Sequence, residues 1–181
     1  MKIFYFYGKT NMAEEIINRV ANSKLTTIDL EDFYPEGKRV IFDIKDWLFE
    51  ELILREKDFR ETVKNHDWSQ YLDSYVSLTC STDAIIPSWA YLLLTTELTP
   101  FAKKIVVGDL TLLETVVYQE IIQQLDTSEY KDKPVIIKGC ANKPIPPSAY
   151  TLLIEKIKPV AKTIMFGEAC STVPLYKRKN N

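Results

Sequence analysis

The chain has 181 residues, 46% hydrophobic and 27% charged, with 23 basic and 25 acidic side chains and a formal net charge of −2. The length predicts a single domain, and the composition excludes a disordered chain, a collagen and a coiled coil. The slightly negative charge argues against a nucleic-acid-binding domain held by general basicity. Because the chain has one histidine and three cysteines, a site built mainly from histidines is also excluded.

The thiols and the N-terminus predict a cellular compartment. No stretch approaches the roughly 20 apolar residues that a membrane helix needs, and the N-terminus lacks the features of a secretory signal. We therefore expect a cytoplasmic protein with reduced thiols. The odd number of cysteines leaves free thiols or metal ligands as the options. Residues 1–11 are either a short strand or the result of an incorrectly assigned start codon.

The N-terminal portion, residues 12–71, predicts a helix, a hairpin and a second helix. In chain order, we expect a helix at 12–20, strands at 25–32 and 39–44, and an exposed helix at 57–67. The first helix has the spacing of a capping box, and the turn at 34–37 joins the two strands into a hairpin. Residues 45–56 fit a helix and a strand equally well.

From about residue 72 to residue 179, strands and helices alternate regularly. The predicted strands are Tyr75–Thr79, Lys104–Val107, Pro134–Lys138 and Thr163–Phe166, and the predicted helices are 84–98, 110–125 and 146–158. This order is typical of β-α-β units. We therefore expect an α/β fold with a mainly parallel sheet and right-handed crossovers.

Two segments of this core resemble each other, Cys80–Asp109 and Cys140–Glu168. With one gap at Trp89, about 13 of 29 aligned positions are identical, which is typical of an internal repeat. The repeat units cover 75–109 and 135–168. Folding explains the shared prolines and glycines, but it does not explain a cysteine just past a strand in both units.

Three cysteines, Cys80, Cys140 and Cys170, lie just beyond the carboxyl ends of predicted strands. In open α/β sheets this edge is where ligands bind, so parallel strands would bring the three sulfur atoms to one rim. Thiolates select zinc, copper(I) or iron–sulfur clusters. Three cysteines with a fourth position that is open or oxygen-bound are compatible with a [4Fe–4S] cluster. The candidate oxygen ligands are Asp83, Asp109 and Glu168.

Other interpretations of these residues stay open. A cysteine can be the reactive thiol of an enzyme or sulfur carrier, or a small buried hydrophobe in an interaction scaffold. Asp109 and Glu168 can form an acid–base pair or hydrogen-bond the adjacent turn. The lone His66 fits a histidine at a helix end better than a metal ligand.

Four hydroxyl residues adjoin two of the cysteines in identical tripeptides. Their N–H and hydroxyl groups can cradle a cofactor anion, so the candidate cofactor-binding residues are Ser81, Thr82, Ser171 and Thr172. Capping of a following helix is an equally good role for the first two. It is a weaker explanation for the second pair, because no helix is predicted after it.

Five runs resemble the bacterial family catalogued as domain of unknown function 2480. They are DIKDWLFEELILREKDFRE (43–61), NHDWSQY (65–71), CSTDAIIPSWAY (80–91), IIKGC (136–140) and FGEACSTVPLYK (166–177). The resemblance covers about residues 12–179 and assigns no catalytic residue, because the family has no established activity. Genes of this family often lie beside the sulfur-mobilisation genes, so the resemblance implies iron–sulfur assembly proteins as partners.

Together, the residues and the resemblance predict a cytoplasmic protein that binds an iron–sulfur cluster or a thiophilic metal such as zinc. The ligands would be Cys80, Cys140 and Cys170, with Asp109 or Glu168 as the oxygen neighbour.

Overall fold

The structure, a computed structural model, describes residues 25–139, 142–168 and 171–179. Its strands are β1 (Thr26–Ile28), β2 (Arg39–Asp43), β3 (Tyr75–Thr79), β4 (Lys104–Val107), β5 (Pro134–Ile137), β6 (Thr163–Glu168) and β7 (Ser171–Lys177). Its helices are α1 (Glu56–Asn65), α2 (Ser88–Leu98), α3 (Leu110–Gln124) and α4 (Pro147–Ile157). The predicted α/β class is confirmed. The helix expected at 12–20 and residues 1–11 lie outside the described residues.

The strands form two sheets where one was expected. One sheet has the order β2-β3-β4, and all its strands are parallel. The other has the order β1-β5-β6-β7, in which only β7 is antiparallel to its neighbour. Each predicted β-α-β unit therefore forms a sheet of its own, to which one strand from the N-terminal portion is added.

The hairpin predicted from the strands at 25–32 and 39–44 is wrong, because β1 and β2 belong to different sheets. In β1, Ile28 lies opposite Ile137 of β5. In β2, Phe42 lies opposite Leu78 of β3. Each short strand buries its apolar side chain against a parallel partner, and burial of a large apolar side chain stabilises the fold by roughly 1.5–3 kcal/mol.

Two short 3₁₀ helices replace the ends of the predicted segments. Asp29 accepts the Glu31 N–H at 3.0 Å and begins a 3₁₀ helix over Leu30–Phe33. Asp43 accepts the Lys45 N–H at 3.0 Å and begins another over Ile44–Trp47. An aspartate at the N-cap satisfies an N–H that has no partner within the helix, so β1 ends directly before an aspartate and β2 ends at one.

Helix α3 lies between the two sheets and contributes to the packing of both. Tyr118 and Ile122 join the core that includes β1, β5, β6 and α4. Leu113 and Val117 of the same helix pack against Tyr75 of β3. A separate cluster, which includes Phe59, Leu78 and Leu94, fills the space between β2-β3-β4 and the helices α1 and α2.

The strand β7 was not predicted, because Pro174 lies in the middle of the segment and proline cannot donate to a ladder. The antiparallel pairing with β6 tolerates it through a register shift between Ile164 and Met165. Among the residues that the structure describes, no helix combines the length and the hydropathy needed to cross a bilayer.

Candidate functional site

The strands that precede the three cysteines divide between the two sheets. Cys80 follows β3, the central strand of its sheet. Strands β5 and β6, which lead to Cys140 and Cys170, are parallel neighbours in the other sheet, and Ile137 lies opposite Phe166. The expectation that all three strands end on one rim is therefore wrong. Cys140 and Cys170 themselves lie outside the described residues, so their metal-binding role stays a prediction.

Cys80 is half-buried and packs against the core of the β2-β3-β4 sheet. The N–H of the next residue, Ser81, donates to Asp43 Oδ1 at 3.0 Å. Burial opposes ionisation of Asp43, but the hydrogen bonds from Ser81 and Lys45 hold its pKa below the ordinary value. Burial raises the pKa of the Tyr91 phenol, and the charge of Cys80 adds to this effect. Cys80 is thus close to a phenol, at the start of a loop that Asp43 anchors.

Lys138, the residue after β5 in the other sheet, lies near the carboxylates of Asp29 and Glu168. Lys138 Nζ lies 2.6 Å from Asp29 Oδ2. The pKa of Lys138 is raised chiefly by this bond, with a smaller contribution from the charge of Glu168. Burial opposes ionisation of Asp29, but Lys138 and the Glu31 N–H together hold its pKa below the ordinary value. A positive charge therefore stands two residues before Cys140 in the chain.

The described residues on either side of Cys140 make close contacts with the rest of the fold. On the C-terminal side, Glu31 Oε1 accepts the N–H groups of Asn142 and, at 3.1 Å, of Lys143. On the N-terminal side, Gly139 passes so close to Phe166 that a Cβ atom would lie 2.8 Å from the ring. Only glycine has room there.

Of the three candidate oxygen ligands, Asp83 is exposed in the segment before α2, and the other two lie in different surroundings. Asp109 Oδ1 accepts the Leu112 N–H at 2.7 Å and caps α3, so the structure confirms the turn-binding role. Glu168 ends β6 of the other sheet and is exposed. Within the described ranges, no three His, Cys, Asp or Glu side chains form a metal-binding group.

The hydroxyl residues beside the cysteines do not cap helices. Helix α2 begins at Ser88, after Pro87, so the capping role for Ser81 and Thr82 is wrong. Ser171 and Thr172 lie in β7, opposite Glu168 and Gly167. Their role in cofactor binding stays a prediction for all four residues.

The lone His66 is a histidine at a helix end. It follows α1 and is half-buried among aromatic rings, including those of Trp47 and Trp68. Its Nε2 lies 2.9 Å from the Tyr71 hydroxyl oxygen. Burial lowers its pKa, while Asp67 partly opposes this shift. These contacts explain His66 without a metal.

Sequence reasoning missed Asp29 and Asp43, which bind the residues just beyond β5 and β3. Residues 29–33 read Asp-Leu-Glu-Asp-Phe, and residues 43–47 read Asp-Ile-Lys-Asp-Trp. Both segments have the pattern Asp-apolar-x-Asp-aromatic, directly after a strand. This shared pattern was a signal for two equivalent strand ends, but it lies outside the segments that aligned as a repeat.

A comparison with protein families supports the resemblance found in the sequence. A family model described as "Protein of unknown function (DUF2480)" matches residues 14–178, nearly the whole chain. No curated protein and no solved structure matches the chain. The predicted family is confirmed.

Proposed function

This chain belongs to the DUF2480 family of proteins of unknown function, and we propose that it binds an iron–sulfur cluster or a thiophilic metal such as zinc. The ligands are Cys80, Cys140 and Cys170. One observation carries the proposal: β5 and β6 are parallel neighbours, and their carboxyl ends lead into the segments with Cys140 and Cys170. Neighbouring strands lie about 4.8 Å apart, and thiolates on one zinc ion lie roughly 3.8 Å apart, so small loop adjustments suffice.

The third thiolate and the oxygen neighbour complete the site. Cys80 joins from the other sheet, and a multi-iron cluster spans a wider separation than a single ion does, which favours the cluster. Glu168 is the better oxygen neighbour, because its strand leads directly to Cys170. Asp109 is the alternative, but one of its carboxylate oxygens already caps α3.

A second candidate function is thiol chemistry without a metal, in an enzyme or a sulfur carrier. Lys138, two residues before Cys140, favours it, because a nearby cation stabilises a thiolate. In this alternative the nucleophile is Cys140. Both functions need reduced thiols, so we place the protein in the cytoplasm, with iron–sulfur assembly proteins as the proposed partners of a cluster-binding form.

Anaerobic purification of the full chain from cells supplied with iron and zinc tests the metal proposal. Elemental analysis and an absorption spectrum should show bound metal, and Cys→Ser changes at residues 80, 140 and 170 should each remove most of it. Glu168→Gln should alter the spectrum, whereas Glu129→Gln, which changes an exposed carboxylate in the segment between α3 and β5, should not.

Two results would overturn the proposal in whole or in part. A colourless, metal-free protein that binds neither iron nor zinc after reconstitution contradicts metal binding altogether. Full metal content in the Cys80→Ser variant contradicts the three-thiolate arrangement. Rapid alkylation of Cys140 alone in such a metal-free protein supports the thiol alternative, because a thiolate reacts faster than a thiol.

A further inference from the structure

A pocket of about 380 Å³ lies where the segment between β1 and β2 meets the first turns of α3 and α4. Its walls are mainly apolar and are formed by Leu110, Ile145 and the prolines Pro144, Pro146 and Pro147. Its polar lining includes Tyr34, Arg39 and Glu114. Pockets of this size with a few convergent polar groups are typical of small-molecule sites.

Glu114 has acceptor capacity to spare. Its residue is 5% exposed, and its Oε1 atom accepts from Arg39 Nε at 2.7 Å and from the Tyr34 hydroxyl at 3.2 Å. Its Oε2 atom has one long contact within the described residues, from Arg39 Nη2 at 3.4 Å. A carboxylate oxygen accepts two hydrogen bonds, so Oε2 can take a stronger one from a ligand.

Arg39 is fixed in place and has one donor to spare. Its Nη1 donates to the carbonyl oxygens of Pro35 and Gly37 at 2.7 and 2.8 Å, and its guanidinium lies 4.0 Å from the Tyr34 ring centroid. A guanidinium has five N–H donors, and the bonds to the two carbonyls and to Glu114 use four. The second N–H of Nη2 is left, because the first makes the long contact of 3.4 Å with Glu114 Oε2.

We propose that this pocket binds a small neutral molecule with an apolar body and a carboxamide at its polar end. The amide N–H donates to Glu114 Oε2, and the amide oxygen accepts from Arg39 Nη2. A carboxylate would face the charge of Glu114 and an ammonium would face that of Arg39, whereas an amide matches the neutral ion pair. The apolar walls hold the body of the ligand. None of these residues belongs to the proposed cysteine site.

Titration of the full chain with benzamide, followed by ¹H–¹⁵N NMR, tests the proposal. Saturable shifts are expected at the backbone amides of Thr111 and Ile145. Toluene lacks the polar group, and benzoate and benzylammonium carry a charge, so each should bind about tenfold more weakly. Toluene binding as tightly as benzamide contradicts the role of the donor–acceptor pair. Tighter binding of benzoate contradicts the neutral-ligand assignment.

A pocket-filling variant locates the site. Thr111 is exposed, lies in the first turn of α3 and lines the pocket, so Thr111→Trp should abolish the benzamide shifts at Ile145. Gln119→Trp changes an exposed residue about two turns further along the same helix and should leave them unchanged. A well-dispersed spectrum of each variant establishes that it is folded. Shifts that survive Thr111→Trp, or no benzamide binding in the unchanged chain, overturn the proposal.

Discussion

Asp43 and Ser81, 38 residues apart in the chain, are joined by a hydrogen bond of 3.0 Å from the Ser81 N–H to Asp43 Oδ1. This bond ties the end of the edge strand β2 to the residue after Cys80. In the other sheet, Asp29 at the end of the edge strand β1 binds Lys138 just beyond β5. Each sheet therefore uses one aspartate to hold a strand end that leads to a cysteine.

Replacement of Asp43 should loosen the loop that begins at Cys80. The Asp43→Ala change removes the 3₁₀ cap and the bond to Ser81, so the free energy of unfolding should fall by about 1–2 kcal/mol. Alkylation of Cys80, followed by peptide mass spectrometry, should become faster because the loop opens more often. Asp46→Ala, which changes an exposed residue of the same 3₁₀ helix, is the matched control. Equal alkylation rates in the two variants would contradict the anchoring role.

The pairing of Asp29 with Lys138 should make stability depend on pH in the acid range. Burial opposes ionisation of Asp29, yet its bonds hold its pKa below the ordinary value of 3.8. The unfolded chain therefore binds a proton at a higher pH than the folded chain does. Asp29 contributes stability above about pH 4, and this contribution is lost as the pH falls through the folded pKa.

Urea unfolding midpoints at several pH values test this dependence. The Asp29→Asn variant should be less stable than the unchanged chain at pH 7, and the difference should shrink below about pH 4. Asp32→Asn, at an exposed position of the same 3₁₀ helix, is the control and should follow the unchanged chain. A difference that stays constant over the whole pH range would refute the linkage.

Loss of the Glu114 carboxylate should cost much more stability than loss of an exposed carboxylate. Its side chain is 6% exposed and that of Arg39 is 13% exposed, so Glu114→Ala leaves a buried guanidinium without its counter-ion. The expected loss is about 3–5 kcal/mol by urea unfolding. Glu120, on the same helix as Glu114, forms a more exposed pair with Lys104 of β4, so Glu120→Ala should cost less than about 1 kcal/mol.

A double variant separates the charge effect from lost packing. If the unpaired charge causes the loss, Arg39→Met combined with Glu114→Leu should recover most of it, because apolar side chains replace a buried ion pair at little cost. A double variant as unstable as Glu114→Ala alone would show that hydrogen bonds from Arg39 to Pro35 and Gly37 matter more than the charge.

The regular alternation in the second half of the sequence predicted its elements well. Strands β3 and β4 begin and end at the predicted residues, because both are short segments with β-branched residues that alternate with helical segments along the chain. Strand partners were not predictable in the same way. The contact between Asp29 and Lys138 joins residues 109 positions apart, and such pairing depends on burial in the folded chain, not on a local pattern.

The candidate site was predictable only in part. The position of Cys80 after β3 was predictable, because the local sequence pattern marks where the buried strand Tyr75–Thr79 ends. The anchoring by Asp43 and Glu31 was not predictable, because each carboxylate binds a backbone N–H of a loop that is distant in the chain. Backbone donors are present at every residue except proline, so the sequence does not mark which loop a carboxylate holds.

The single histidine of the chain should titrate below its ordinary pKa. Burial lowers the pKa of His66 from 6.5, and Asp67 opposes this only in part. The folded chain thus favours the neutral imidazole, so the stabilising contribution is complete above about pH 6.5 and is lost as the pH falls through the folded pKa. Because the chain has one histidine, its imidazole resonances need no assignment to a residue. An NMR titration should show a pKa below 6.5.

Replacement of the ring tests whether this titration affects folding. His66→Gln keeps a polar side chain but cannot ionise, so stability should lose its dependence on pH between about 7 and 5.5. Asp58→Asn changes an exposed carboxylate of α1, the helix that precedes His66, and should leave both the imidazole pKa and the slope as they are. An unchanged slope in His66→Gln would assign the pH dependence in this range to another group.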